Sequence, residues 1–376
     1  MSDDEADPEL LALLRQSLGL GGHNGHATAP PSTGVLESAE YIYDNAIDVA
    51  ISSAGTKKAA EHIYHLMQSK NYSTGTWSTH ELHPKLSEPG SEEETVVNFI
   101  FTMNLLNFSF WSELPEGERF AVEYKGRRWT GYWSLIAALQ RALDEGYAIT
   151  SPDFWQDRDA CPDNVLEHIF RSATQEPIPL LGDRIAILRE AGAILYEHFG
   201  CRPANIIRRA DGSAARLVNL LVEYFPNFRD VASFQGTEVR LYKRAQIFVA
   251  DLWACFQGTS YGSFSDIDCL TMFADYRIPQ MLQGLHCLLY SPRLESRISR
   301  REMLSAGEDL EIEIRGCSIW CVELIKREIL QKHPEAKGNV NAILIDFFLY
   351  DTCKEMEKGG EIEELLAHHR TRSIFY

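Results

Sequence analysis

Apolar residues recur at helical spacing along most of the chain. Seven segments carry them at positions i, i+3, i+4 and i+7, the pattern of a helix that buries one face. The predicted helices span residues 56–70, 134–145, 184–199, 214–224, 242–256, 318–330 and 341–358. The sequence therefore predicts a mainly α-helical fold.

One segment has the pattern of β-structure instead. Residues 119–124 and 128–133 flank the tripeptide Lys125-Gly126-Arg127. A glycine in so short a connection is typical of a hairpin turn. We therefore expect a small β-hairpin beside the helices.

The first 36 residues differ in composition from the rest of the chain. Residues 8–20 can form a short amphipathic helix, and residues 21–34 are rich in Gly, Pro, Ser and Thr, as linkers are. No linker of comparable length follows. We predict a disordered, acidic and Gly/Pro-rich tail at 1–36 and a single domain at 37–376.

Charge and cysteine content narrow the class of ligand and the compartment. Asp and Glu number 54 against 36 Lys and Arg, a net charge of −18. This charge disfavours a stable complex with nucleic acid, since such binding draws on many phosphate contacts, but it permits a mononucleotide.

No apolar run reaches the length of a membrane span, and the acidic N-terminus does not resemble a secretory signal. Eight scattered cysteines without a C-x-x-C pair fit the cytoplasm.

Common cofactor and metal motifs are missing from the sequence. It contains no phosphate-binding G-x-x-x-x-G-K-[ST], no G-x-G-x-x-G after a strand, no H-E-x-x-H and no G-x-S-x-G. His80 and His83 are followed at once by Pro84, which favours a loop pair over a zinc site. Cys317 and Cys321 lie one helical turn apart among apolar residues and are expected in the core. We predict no metal and no cofactor.

Polar residues interrupt the apolar segment 101–111. Asn104, Asn107 and Ser109 lie there among large apolar side chains, and a buried amide must find a hydrogen-bond partner. One interpretation is that these groups bond the backbone at a turn. The other is that Asn107 reads the edge of a base while Phe108 or Trp111 stacks on it.

A second such segment spans residues 270–280. Asp275, Tyr276 and Arg277 stand together in an otherwise apolar stretch. Asp275 could be a helix cap. Alternatively, the three side chains could bind sugar hydroxyls and a phosphate in a pocket.

A third segment, residues 341–351, is apolar around nearly the whole circumference of the predicted helix. Asp346 lies in its middle, and Asp351 follows about 140° further around the helix. A buried carboxylate is either paired, in this case with Arg315, or functional. Both interpretations of Asp346 stay open.

Two cations open the predicted helix that reaches Asp251. Lys243 and Arg244 lie in the first turn, where the positive end of the helix dipole disfavours cations. A nearby anion would compensate for this placement. The simpler interpretation is a solvated basic patch.

At these segments the sequence resembles the queuosine salvage protein family. The matching strings are LNFSFW (106–111), GYWSL (131–135), LYKRAQI (241–247), TMFADYRIPQ (271–280), EIRGCSIWCVE (313–323) and ILIDFFLYD (343–351). They are long, ordered along nearly all of 37–376, and correspond to no generic motif. The tail has no counterpart in the resemblance.

The resemblance implies a helical fold akin to helix-hairpin-helix DNA glycosylases. It implies hydrolysis of queuosine 5′-phosphate, a small-molecule substrate, to queuine and ribose 5-phosphate. It also makes Asp275, Asp346 and Asp351 the active-site carboxylates, with Asp346 expected beside the sugar C1′. The residues expected to bind the rest of the substrate are Asn107, Phe108, Tyr276, Arg277, Asp351 and Lys243. A DNA glycosylase and a non-catalytic nucleotide-binding protein are the alternatives.

Overall fold

The chain is seen in a computed structural model, which describes residues 31–86 and 93–376. The described residues from Ser32 onward form one folded unit. The helix expected at 8–20 and most of the expected linker lie outside the described residues.

Helices make up most of the described chain, as the apolar spacing predicts. In chain order they are α1 (Val35–Asn45), α2 (Ser53–Ser69), α3 (Thr74–Trp77), α4 (Glu93–Leu105), α5 (Tyr132–Asp144), α6 (Pro152–Gln156), α7 (Asp163–Ile169), α8 (Leu181–Phe199), α9 (Pro203–Ala210), α10 (Ala214–Tyr224), α11 (Lys243–Cys255), α12 (Arg277–Gly284), α13 (Pro292–Ser299), α14 (Asp309–Lys332) and α15 (Ala342–Gly359). The prediction of a mainly α-helical fold is confirmed. None of the helices in the described ranges is long and apolar enough to cross a membrane.

Short antiparallel strand pairs accompany the helices. The strands are β1 (Val49–Ile51), β2 (Val122–Tyr124), β3 (Arg127–Trp129), β4 (Val231–Phe234), β5 (Thr237–Arg240) and β6 (Leu288–Tyr290). They pair as β1 with β6, β2 with β3, and β4 with β5. The expected hairpin is β2–β3, turning through Lys125 and Gly126 at positive φ.

That hairpin is shorter than the sequence indicated. Its second strand ends at Trp129, and Tyr132 and Trp133 begin helix α5 instead. Gly131 precedes this helix at φ 60° and ψ −143°, a conformation that suits glycine. The chain can therefore turn from strand to helix within two residues.

Helix α14 is at the centre of one half of the core. It packs against α1, α2 and α15, and it also contacts β1 and α12. Gly316 allows the close approach of α1, because a Cβ at this position would lie 2.5 Å from Ile42 Cδ1. The helix starts at Asp309, earlier than predicted. The sequence did not reveal this start because Glu311, Glu313 and Arg315, which are buried in the first turns, interrupt the apolar pattern.

Helix α11 is at the centre of the other half. It packs against α4, α10 and α3, and most of its side chains are buried. Helix α15, which packs on α14 and α12, contributes a second set of buried side chains. Residues of α11, of α15 and of the loop before α12 line one shared cavity.

Candidate active site

The cavity has a volume of about 970 Å³. Every residue that the sequence singled out for substrate binding or catalysis lines it: Asn107, Phe108, Lys243, Asp275, Tyr276, Arg277, Asp346 and Asp351. They come from four separate stretches of the chain. The fold therefore brings together groups that are separated by up to about two-thirds of the length of the chain.

Asp346 lies in the second turn of α15 and is only 5% exposed. Its Oδ2 accepts a hydrogen bond from the Phe273 backbone N–H at 2.9 Å. Burial raises the pKa of the Asp346 carboxyl well above its usual range, and the charge of Asp275 adds to the increase while that of Lys243 opposes it. The site thus holds a carboxylate whose ionisation is sensitive to nearby charge.

Arg315 does not pair with Asp346, contrary to the structural interpretation of that aspartate. Its guanidinium holds Asp230 through two hydrogen bonds of 2.5 and 3.1 Å and also bonds Glu311. Its Nε–H donates to the Ala274 carbonyl at 3.0 Å. Arg315 therefore supports the loop that presents Asp275, and Asp346 forms no ion pair within the described residues.

Asp275 uses one carboxylate oxygen to hold a helix end. Its Oδ1 accepts from the backbone N–H groups of Arg277 and Ile278 at 2.8 and 2.9 Å, at the start of α12. The capping interpretation is therefore satisfied by one oxygen. Asp275 Oδ2 has no bonding partner among the described residues and remains available to a ligand in the cavity.

Lys243 is buried, so the expectation of a solvated basic patch is wrong. Its side chain is 6% exposed, and its Nζ has no hydrogen-bond or ion-pair partner in the described part of the chain. Burial lowers the pKa of the Lys243 ammonium, and the charges of Asp275 and Asp346 oppose this decrease. Arg244 is buried too, and donates to the carbonyl oxygens of Asn104 and Leu105.

Asp351 and Arg277 are already engaged by neighbouring side chains. Asp351 accepts a hydrogen bond of 2.6 Å from the Tyr72 hydroxyl, and burial raises the pKa of its carboxyl. Arg277 forms an ion pair with Glu357 and donates to Gln280 Oε1 at 3.0 Å. Arg277 can therefore bind a phosphate only if Glu357 shares or releases it, and Asp351 can bind a hydroxyl only if Tyr72 does so.

The groups expected to contact a base differ in how accessible they are. The Tyr276 ring is half-buried and lies 4.7 Å from the His368 ring, at 40° to it. The Phe108 ring is fully buried, with the guanidinium carbons of Arg184 and Arg244 at 4.2 and 5.0 Å from its centre. The Asn107 amide has no partner among the described residues, unlike Asn104, whose Nδ2 donates to the Ile100 carbonyl.

Asp251 is a cavity residue that the sequence reasoning missed. It lies in the middle of α11 and is 3% exposed. Trp77 Nε1–H donates to its Oδ1 at 2.9 Å, and Asn104 Nδ2–H donates to its Oδ2 at 2.8 Å. Burial raises the pKa of this carboxyl to about 7, although both hydrogen bonds oppose the increase. The signal was available, since Asp251 interrupts an apolar helix as Asp346 does.

An aromatic wall, formed by Trp77, His80, His83, Tyr132 and Trp133, also lines the cavity. His83 stacks on Trp77 with ring centres 3.8 Å apart, and His80 stacks on Trp133 at 3.3 Å. Because the Trp77 carbonyl can only accept, His83 Nδ1 must carry the proton of their 2.7 Å hydrogen bond. His83 Nε2 then accepts from the Tyr132 hydroxyl at 3.0 Å.

The imidazoles of this wall are neutral near pH 7. Burial lowers the pKa of His80 to about 4 and that of His83 to about 3. The sequence reasoning treated the two histidines as a loop pair and gave them no role in a site. Within the described residues, no group of three or more His, Cys, Asp or Glu side chains is arranged to hold a metal ion.

Taken together, the fold and the cavity define a class of protein. A helical domain whose buried pocket combines carboxylates, an ammonium group and flat aromatic rings is suited to bind a small polar molecule with an aromatic part. The chain belongs to the queuosine salvage protein family, whose model matches residues 82–376.

Relatives from distant organisms match almost the whole chain. A protein of Schizosaccharomyces pombe is 43% identical over 354 residues, covering 91% of this chain and 99% of its own length. One of Bos taurus is 42% identical, covering 90% and 98%, and one of Sphaerobacter thermophilus is 37% identical, covering 91% and 98%. All three are named queuosine 5′-phosphate N-glycosylase/hydrolase.

Proposed function

We propose that this protein hydrolyses the N-glycosidic bond of queuosine 5′-phosphate, releasing the base queuine and ribose 5-phosphate. Relatives that match nine-tenths of the chain carry this activity in their names. The observation that carries the proposal is the buried Asp346 carboxylate, which shares a cavity with Asp275 and Lys243. The released queuine can be reinserted into tRNA, which makes the reaction a step of queuosine salvage.

Asp346 is assigned to the ribose C1′. As the base departs with the electrons of the C–N bond, positive charge develops on the ribose, and a buried carboxylate stabilises it more strongly than water does. The same charge favours the ionised form of Asp346, which offsets the effect of burial on its pKa. Asp346 therefore acts at the reacting carbon.

Water is the other reactant. It attacks C1′ and gives up a proton to a carboxylate, and we assign this role to Asp346 itself or to Asp275 through its available Oδ2, since both line the cavity. The departing base takes up a proton in turn. Since the deazapurine leaves reluctantly, donors to its polar edge assist the step, and the unpartnered Asn107 amide is assigned to this task.

The remaining substrate groups are assigned to the other cavity residues. Lys243 binds the 5′-phosphate in preference to Arg277, because its ammonium has no partner among the described residues whereas Arg277 is paired with Glu357. Tyr276 stacks on the heterocycle, with Phe108 as the second stacking candidate. Asp275 or Asp351 holds the base or its cyclopentenediol.

The proposal extends to fold relationship, partners and location. The helical domain is proposed to be akin to helix-hairpin-helix DNA glycosylases, although its ligand is a free nucleotide. The net charge of −18 supports a protein that forms no stable complex with nucleic acid or an acidic membrane surface. We place the reaction in the cytoplasm, with water as its only co-reactant and no cofactor.

Incubation of the purified protein with queuosine 5′-phosphate tests this function. Chromatography should detect queuine and ribose 5-phosphate in equal amounts. A protein that binds the nucleotide without releasing base would be a binding protein instead. Release of base from damaged duplex DNA, but not from the nucleotide, would point to a DNA glycosylase.

A further inference from the structure

One side of the cavity holds Asp251, a buried carboxylate whose ionised form is favoured by the charge of Lys243 but which Lys243 does not contact in an ion pair. The two donors to Asp251, from Trp77 and Asn104, are neutral N–H groups. No lysine or arginine in the described part of the chain forms an ion pair with it. A carboxylate buried in this way is costly, and a cationic ligand would remove that cost.

The aromatic wall lines the same cavity as this carboxylate. Trp77 donates to Asp251 directly, and His83 is fixed by the hydrogen bond that it donates to the Trp77 carbonyl and by the one that it accepts from the Tyr132 hydroxyl. Ring faces attract a cation, and those of tryptophan do so most strongly. Since both imidazoles are neutral near pH 7, they do not repel one.

The base of queuosine carries a group of this kind. Its aminomethyl arm contains a secondary amine, which is protonated near neutral pH and bears the cyclopentenediol. Resting on the proposed function, we propose that Asp251 and the aromatic wall form the subsite for this cationic arm. They would then select queuosine 5′-phosphate over nucleotides whose base lacks the arm.

The spacing along α11 fits such a substrate. Lys243, Ile247 and Asp251 all line the cavity and follow one another at four-residue intervals. Eight residues of helix correspond to roughly 12 Å along the axis. The backbone positions of Lys243, proposed for the phosphate, and Asp251, proposed for the arm, are therefore separated along the helix by about the length of an extended nucleotide.

Selectivity between two nucleotides tests the subsite. We would measure kcat/KM for queuosine 5′-phosphate and for 7-deazaguanosine 5′-phosphate, which lacks the arm. Asp251→Asn and Trp133→Leu should each lower the value for queuosine 5′-phosphate by about tenfold and that for the armless nucleotide by less than about threefold. Trp253→Leu is the matched control, because Trp253 is a half-buried tryptophan of α11 that does not line the cavity. This control should leave selectivity unchanged.

Equal losses on both nucleotides, or no loss on either, would overturn the subsite. If Asp251→Asn does not fold, Trp133→Leu still tests the subsite, since the Trp133 side chain is only half-buried.

Competition on the wild-type protein provides a test without substitutions. Queuine should inhibit hydrolysis of queuosine 5′-phosphate at least about tenfold more strongly than 7-deazaguanine does. If the wild-type protein released no base from queuosine 5′-phosphate, the proposed function itself would be wrong. Normal turnover with unchanged selectivity would reject the subsite alone.

Discussion

Asp346 combines deep burial with the absence of a described ion-pair partner. The buried carboxylate of Asp230, in contrast, is compensated by Arg315. Asp346 accepts one backbone hydrogen bond, and the charges of Asp275 and Lys243 shift its pKa in opposite directions. This imbalance supports the proposed catalytic role of Asp346, in which its charge is compensated mainly when the ribose becomes positive.

Replacing this charge should therefore affect turnover more than folding. We expect Asp346→Asn to lower kcat for queuine release by about 10²–10⁴-fold, the usual contribution of such a group. Thermal unfolding should show a folded variant, because the amide oxygen can still accept from Phe273. Near wild-type turnover in a folded variant would remove Asp346 from the reaction.

Asp251 makes stability depend on pH. Its carboxyl has a pKa of about 7 in the folded chain against roughly 3.9 in an unfolded one, so the native state binds the extra proton between these values. This contribution to stability is present below about pH 4 and is lost as pH rises to about 7. The free energy of unfolding of the wild-type protein, relative to Asp251→Asn, should fall by a few kcal/mol over that interval.

Urea unfolding of both proteins at pH 5, 6, 7 and 8 measures this difference. Subtracting the variant removes the contributions of other titrating groups. The difference should decline up to about pH 7 and then level off. A constant difference from pH 5 to 7 would contradict the raised pKa of Asp251.

For the site residues, the sequence predicted which side chains are candidates but not how each one is paired or buried. Asp275 and Asp346 were identifiable, because a carboxylate in an apolar run is a strong local signal. Whether Asp346 pairs with Arg315 was not predictable, because the choice of partner depends on tertiary packing. The burial of Lys243 was missed for the same reason, since its exposure is set by segments far away in sequence.

At the scale of elements, apolar periodicity located seven of the fifteen helices in the described residues. The expected segment 214–224 coincides with α10, and the other six predicted segments all fall on helices. Periodicity failed where charges are buried, as at the start of α14. It also could not reveal β1–β6, because those strands are short and lie more than two hundred residues apart.

The contact between α14 and α1 depends on the absence of a side chain at Gly316. A Cβ there would approach the Ile42 Cβ to 2.7 Å, so Gly316→Ala must force the helices apart. We expect it to lower the free energy of unfolding by about 1–3 kcal/mol, as measured by urea denaturation. Gly182→Ala in α8 is the control, because no atom lies within 4 Å of the added methyl group. It should be neutral or stabilising by up to about 1 kcal/mol.

On the scale of the whole molecule, the cavity is assembled from distant parts of the chain. Its lining extends from Tyr72 through α11 to α15 and beyond, to Tyr376. The net charge only disfavoured one kind of ligand, because an acidic chain is unsuited to long polyanions. The shape of the pocket was not predictable, because it follows from how α11, α12 and α15 pack.

The family model matches a shorter stretch than the folded unit, which starts at Ser32. The family model begins at residue 82, whereas Tyr72, Trp77 and His80 line the cavity and α1 packs on α14. A protein truncated to residues 82–376 should aggregate on size-exclusion chromatography and release no queuine, while one starting at residue 31 should elute as a folded species. Trimming such a protein to the matched stretch would therefore remove part of the cavity lining together with α1 and with β1, the strand that pairs with β6.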